Sequence, residues 1–142
     1  MTRLKVLPDV LAIARLEQGS PIPRWAIRSN HDRREWPGIS NGTGAPWFSI
    51  TRTHEELSIV CAASAVPAGV PCEKPFRAIE VEGPLDFALT GILAGIAVPL
   101  AEAGISIFAI STFDTDYVLV RESALQEAVR VLRGAGYRIP LE

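Results

Sequence analysis

The feature that most constrains this chain is an internal repetition. Residues 48–60 lie over residues 108–120 at a constant spacing, and both stretches read as strand, polar turn, strand. Ahead of them, residues 10–17 resemble residues 76–83, so the order strand, connector, hairpin occurs twice. A pattern of this kind is most economically a duplicated supersecondary unit, and neither copy is large enough to bury an apolar face alone. With 142 residues there is room for one ordinary domain or for two small units that share a core. In this alignment His54 falls opposite Asp114.

The second copy carries a full set of elements. After a strand at 76–81 and a loop at 82–90, Ile92, Leu93, Ile96, Ala97 and Leu100 recur with helical spacing and demand one buried face. Pro99 should bend or loosen the last turn of that helix before Gly104 ends it. The hairpin follows. Ser123-Ala124-Leu125-Gln126 reads as a capping box opening a second helix, with Leu125, Ala128, Val129 and Leu132 on one face and Gly134 and Gly136 beyond its end. Tyr137-Arg138-Ile139 supplies a last short strand. The order is βαββαβ, the ferredoxin-like arrangement.

The first copy departs from this plan. Its strand at 10–16 leads into an excursion at 20–46 that holds four prolines and three glycines in place of a first helix, with a short strand expected at 25–28. Its second helix shrinks to a turn near residues 64–68. The expected fold class is α+β, two ferredoxin-like units in tandem, with 1–73 a degenerate unit lacking its first helix and 74–142 a complete one. A sheet face left bare in the first unit has to be covered. Trp25, Trp36 and Trp47 lie in or beside the excursion, where they either pack it over that face or form a dimer contact.

Composition excludes several functions. Hydrophobic residues make up 48% and charged residues 21% of the chain, enough to fold without metal or disulfides. A net charge of -2 offers no basic field for nucleic acid. The longest apolar run, 91–101, is about half of the ~20 residues a membrane-spanning helix needs and contains Pro99. Without an export signal, Cys61 and Cys72 read as reduced thiols of a cytoplasmic protein, and Asn41-Gly42-Thr43 as a loop rather than a glycosylation site. His31 and His54 are the only imidazoles, no nucleophile elbow occurs, and the cysteines lack partners at metal-ligand spacing. The expectation is a protein that is not an enzyme and carries no cofactor and no metal.

Glu82-Gly83-Pro84-Leu85-Asp86-Phe87-Ala88-Leu89-Thr90-Gly91-Ile92-Leu93-Ala94, followed by Pro99-Leu100-Ala101-Glu102-Ala103-Gly104-Ile105-Ser106-Ile107-Phe108-Ala109-Ile110-Ser111-Thr112-Phe113-Asp114-Thr115-Asp116-Tyr117, resembles the signature of the stand-alone bacterial tandem ACT proteins. These are relatives of the aspartokinase regulatory domains and of the arginine-sensing CASTOR proteins. The match is strongest over 76–133, and the N-terminal half joins it mainly through 47–53 and 57–60. The resemblance implies a regulatory protein that holds a small effector, an amino acid, at the seam between ACT units, and that forms a homodimer. Carried over by position, the site comprises Leu89, Thr90, Gly91 and Ile92 on the loop and helix start, with Ile110, Ser111, Thr112 and Asp114 on the strand end. The proline-rich segment replaces the equivalent loop in the first half, which puts a second site in doubt. The alternative is a dimerisation or interaction module with no active ligand site.

The residue types suit an amino acid. Amides around Thr90, Gly91 and Ile92 open a helix, whose unpaired N–H groups favour a carboxylate. Thr90 is equally an ordinary cap residue. Gly91 lets a ligand approach the backbone. Asp114 and Asp116 offer acceptors to an ammonium, although both are also common turn residues. Ser111 and Thr112 add hydroxyls, and His54 reads as a solvated turn residue.

Overall fold

A computed structural model describes residues 2–27, 47–86 and 90–140. The chain divides into one unit made of Met1–Pro8 with Phe76–Glu142 and another made of Asp9–Pro75. The first of these begins with β1 (Leu4–Val6), resumes within β5 (Cys72–Val81), and continues through α1 (Ile92–Glu102), β6 (Phe108–Ser111), β7 (Asp116–Arg121) and α2 (Leu125–Gly134). Its sheet runs β1, β5, β7, β6, every pair antiparallel. The other unit holds β2 (Leu11–Leu16), β3 (Ser49–Arg52) and β4 (Leu57–Ala62), ordered β3, β4, β2 and again antiparallel.

The helices of the C-terminal unit sit where the apolar spacing put them. Ile96 and Leu100 of α1 and Ala128 and Leu132 of α2 are fully buried against Ile79, Val81, Val118 and Val120 of the sheet. Each large aliphatic side chain so buried contributes about 1.5–3 kcal/mol relative to exposure. Both helices end in the same hydrogen-bonded cap. Gly104 takes a φ of 76° and donates to the Ala101 carbonyl at 3.0 Å, while Ile105 donates to Leu100 at 2.9 Å. Gly136 (φ 104°) and Tyr137 repeat the pattern on Arg133 and Leu132. A left-handed residue at this position satisfies the helix's orphan carbonyls, and glycine occupies it without a Cβ penalty.

Pro99 lies inside α1, which continues to Glu102 with the Pro99 carbonyl accepting from Ala103 at 3.1 Å, and Gly104 follows its end. Three local expectations need correction. Ser123 does not cap α2, because Glu122–Ala124 form a 3-10 turn that feeds straight into the helix and the Leu125 N–H bonds to Glu122 instead. The strand expected at 25–28 is a 3-10 turn at Arg24–Ile27, closed by Ala26 N–H on the Pro23 carbonyl at 3.2 Å; Arg28 lies outside the described residues. The last strand is reduced to one parallel bridge, Arg3 with Arg138. Beside it β1, too short to leave a periodic signal, occupies the edge next to β5: Leu4 donates to Arg138 at 2.8 Å and Arg138 to Thr2 at 3.0 Å.

The N-terminal unit lacks an α-helix among its described residues. Ala12 and Ala14 of β2 and Leu57, Ile59 and Cys61 of β4 form its buried face, and the turn carrying Trp25, Ala26 and Ile27 packs against them with Val66. Small alanines on β2 let this turn lie close, which is how a unit without its first helix covers its sheet. Trp25 therefore has the packing role considered for it. Trp47 is partly exposed, and Trp36, His31 and the Asn41-Gly42-Thr43 sequence lie outside the described residues.

The duplication is real in the hairpins, but its register differs by one residue from the sequence alignment. The ladders pair Ser49 with Val60 in one hairpin and Phe108 with Leu119 in the other, so Ser49 corresponds to Phe108, Arg52 to Ser111 and Leu57 to Asp116. Likewise Leu11 faces Ala62 as Phe76 faces Arg121, which aligns Leu11 with Phe76. His54 thus corresponds to Phe113, not Asp114. The reason is the turn itself. Thr53 donates its N–H to Glu56 O at 2.9 Å and Thr112 to Thr115 O at 2.8 Å. Each threonine hydroxyl also accepts from turn amides, at 3.1 Å from Glu56 and 3.2 Å from Thr115. Matching these two threonines fixes the alignment, and a slip of one residue would put every strand side chain on the wrong face.

Candidate functional site

The loop leaving β5 and the turn between β6 and β7 are drawn together by one glycine. At Gly83 a Cβ would stand 3.0 Å from the Asp114 carbonyl oxygen and 3.1 Å from Leu85 N, so any side chain would push the two segments apart. Bare, the position lets Leu85 N–H donate to that carbonyl at 2.8 Å. Thr115 fastens the turn from beneath. It is 6% exposed, the one buried polar residue among those described, and its hydroxyl donates to the Val81 carbonyl just past the last rung of the β5–β7 ladder, Glu80 with Tyr117.

Between these segments and the start of α1 lies a cleft of about 290 Å³. Leu85, Asp86, Gly91, Ile92 and Leu93 form one wall, and Ser111 through Asp116 the other. Five of the residues singled out from sequence line it: Gly91, Ile92, Ser111, Thr112 and Asp114. Thr90 is exposed and outside the lining, Ile110 sits half-buried on β6, and Leu89 lies outside the described residues. Sequence reasoning did not place Leu85, Asp86, Leu93, Phe113 or Thr115 in a site. Only the spacing of the two walls in space reveals them.

The cleft offers two kinds of polar group. On one side is the amino end of α1, whose N-cap Gly91 is left-handed at φ 78° and contributes no side-chain cap. The first amides of a helix lack intrahelical acceptors and carry the positive end of its dipole, which suits a carboxylate. Thr90 does not cap the helix, and Gly91 is required for its backbone angle rather than for space, since nothing lies within 4 Å of where its Cβ would be. Asp86 stands on the same wall as the helix start, Asp114 and Asp116 stand on the facing wall, and among the described residues no Lys, Arg or His lines the cleft. Ser111 Oγ donates to Asp116 Oδ1 at 2.6 Å, and Thr112 Oγ1 to Thr115 O at 3.1 Å, so both hydroxyls serve the hairpin. Among the described residues no group of three or more His, Cys, Asp or Glu could hold a metal ion.

Comparison with known proteins bears on the fold. The ACT domain family model matches residues 72–134, and a second model, of an N-terminal domain, matches 42–69. A crystal structure of an Agobacterium tumefaciens protein is 37% identical, with a TM-score of 0.80 over 99% of this chain and 93% of that one. The regulatory subunit of aspartate kinase from Thermus flavus shares the fold at 10% identity, TM-score 0.60, over 94% of this chain and 97% of that one. The human cytosolic arginine sensor for mTORC1 subunit 1 is 44% identical over 59 residues, 41% of this chain, and the match spans only 18% of that protein's length. Among the described residues no helix is long and apolar enough to cross a membrane. The family model thus identifies residues 72–134 as an ACT domain, and the aspartate kinase regulatory subunit shares the fold.

Proposed function

We propose that the protein is a regulatory binding protein of the cytoplasm that holds an amino acid in the C-terminal cleft and acts on a further chain, as a homodimer, rather than by catalysis. The observation that carries the proposal is the set of polar groups in the cleft: the amides of the helix start with Asp86 on one wall, Asp114 and Asp116 on the facing wall, and among the described residues no basic side chain. A zwitterion is matched at both ends, its carboxylate by the N–H groups of α1 and its ammonium by Asp114. The surplus of carboxylates favours an amino acid with a cationic side chain, and the likeness to an arginine sensor supports the same class.

The test is a thermal-shift screen against the twenty amino acids, in which a ligand at 100 times its dissociation constant adds about 2.7 kcal/mol of stability. A selective shift is expected, larger for lysine or arginine than for their neutral analogues, and Asp114→Ala should weaken binding by about 1–3 kcal/mol. Absence of any shift, or full affinity in Asp114→Ala, would refute this site and leave a dimerisation module as the reading of the fold.

A further inference from the structure

The C-terminal unit has a second cleft that the amino-acid proposal does not use. It encloses about 460 Å³ between α2, β1 and the segment around Ile139. Val6, Leu125, Val129, Ile139 and Pro140 give it apolar walls, its charged members are Arg77, Arg130 and Arg133, and among the described residues no carboxylate lines it. Its size falls in the range of small-molecule sites, which are mostly apolar with a few placed polar groups.

The three guanidinium groups differ in how their charge is met. Arg130 forms a two-pronged pair with Glu127 one turn earlier on α2. Arg77 holds the Leu7 carbonyl at 2.9 and 3.3 Å and stands 4.0 Å from Glu122. Arg133 bonds only a carbonyl, that of Ile139, through Nε at 3.1 Å and Nη2 at 2.7 Å. Among the described residues no carboxylate pairs with it. Its fork is thereby held in place at an apolar wall, with its remaining N–H donors and one full positive charge unmatched. A planar guanidinium fixed in this way favours a carboxylate over a point cation's looser partners.

We propose that this cleft is a second ligand site, for a small apolar monocarboxylate whose hydrocarbon body lies on Val6, Leu125 and Val129 and whose carboxylate meets Arg133. One unmatched charge selects a monoanion. A free amino acid is disfavoured, because among the described residues no carboxylate lines the cleft to receive its ammonium. The site is independent of the acidic cleft and stands or falls separately from it.

The test is a calorimetric titration of the full chain with octanoate, and with octan-1-ol and octylammonium as probes of the same length without the anion. Saturable octanoate binding in the millimolar range or tighter is expected, with both other probes at least roughly tenfold weaker. Arg133→Gln should weaken octanoate at least roughly tenfold. Since Arg133 also ties down the Ile139 carbonyl, Val129→Trp provides a second variant, filling the cavity without touching either guanidinium bond and expected to abolish binding. Failure of octanoate to bind the parent, equal binding of octan-1-ol, or octanoate affinity unchanged in either variant would overturn the proposal.

Discussion

Replacing Thr115 with valine isolates the fastening beneath the acidic cleft. The side chain is buried, its hydroxyl donates to the Val81 carbonyl, and valine has nearly the same shape without a donor. The substitution therefore leaves a buried carbonyl without this bond, a loss of about 1–3 kcal/mol. Thr115→Ser is the control, since it keeps the donor and removes one methyl, worth about 0.8 kcal/mol. Urea denaturation followed by circular dichroism reads both as a shift in midpoint at constant m-value. Valine should fall below serine, and serine should stay close to the parent. A valine variant as stable as the parent, or more stable than serine, would mean that Val81 finds its partner elsewhere and that the turn is held by its own backbone bonds. The same variant should also lower amino-acid affinity, because the Thr115 hydroxyl ties to β5 the turn whose main-chain carbonyl holds Thr112 on the cleft wall.

Other substitutions test the packing of each unit. Gly95 lies under the Tyr137 hydroxyl, where an added Cβ would collide with it. Gly95→Ala should thus destabilise, although alanine ordinarily gains about 1 kcal/mol over glycine in a helix. In a Tyr137→Phe background, where the next ring atom stands 3.8 Å from that Cβ, the sign should reverse; a Gly95→Ala change that stabilises the parent as well would remove the collision from the account. Burial, and secondarily the neighbouring Cys72, push the Cys61 thiol up from 9.0 to about 11. The unfolded chain then releases this proton first, so stability should fall as pH rises from about 9 to about 11 and be flat below. Cys61→Ala should lack that component of the pH profile, and identical profiles for the two proteins would sink the argument.

The elements that were legible in the sequence are those with a period long enough to count. Ile92, Ile96 and Leu100 announce α1, and Leu125, Ala128, Val129 and Leu132 announce α2, because about two turns' worth of helical spacing on one face is not the alternation of a strand. β1 was invisible, being Leu4 and Val6 around one lysine, and its place in the sheet is set by the distant partners Glu80 and Arg138. The repeat was seen but misaligned, since Asp114 and His54 look like equivalent turn residues whereas the equivalence is carried by the hydrogen bonds of Thr53 and Thr112. In the cleft, Gly91, Ser111 and Asp114 were recognisable by type. Leu85 and Asp86 were not, because their presence depends on the close approach that Gly83 permits.

The interleaved order of the two units has a consequence for synthesis. The unit carrying both clefts takes its edge strand from residues 4–6 and its last partner from residue 138, with the whole of Asp9–Pro75 between its two parts. A ribosome delivers the inserted unit complete while the host unit still lacks its sheet, so the nascent β1 must wait, unpaired, for more than half of the chain. Moving residues 2–8 to follow residue 140 would remove that wait by giving the host unit one continuous stretch, and would make it the unit best suited to production on its own.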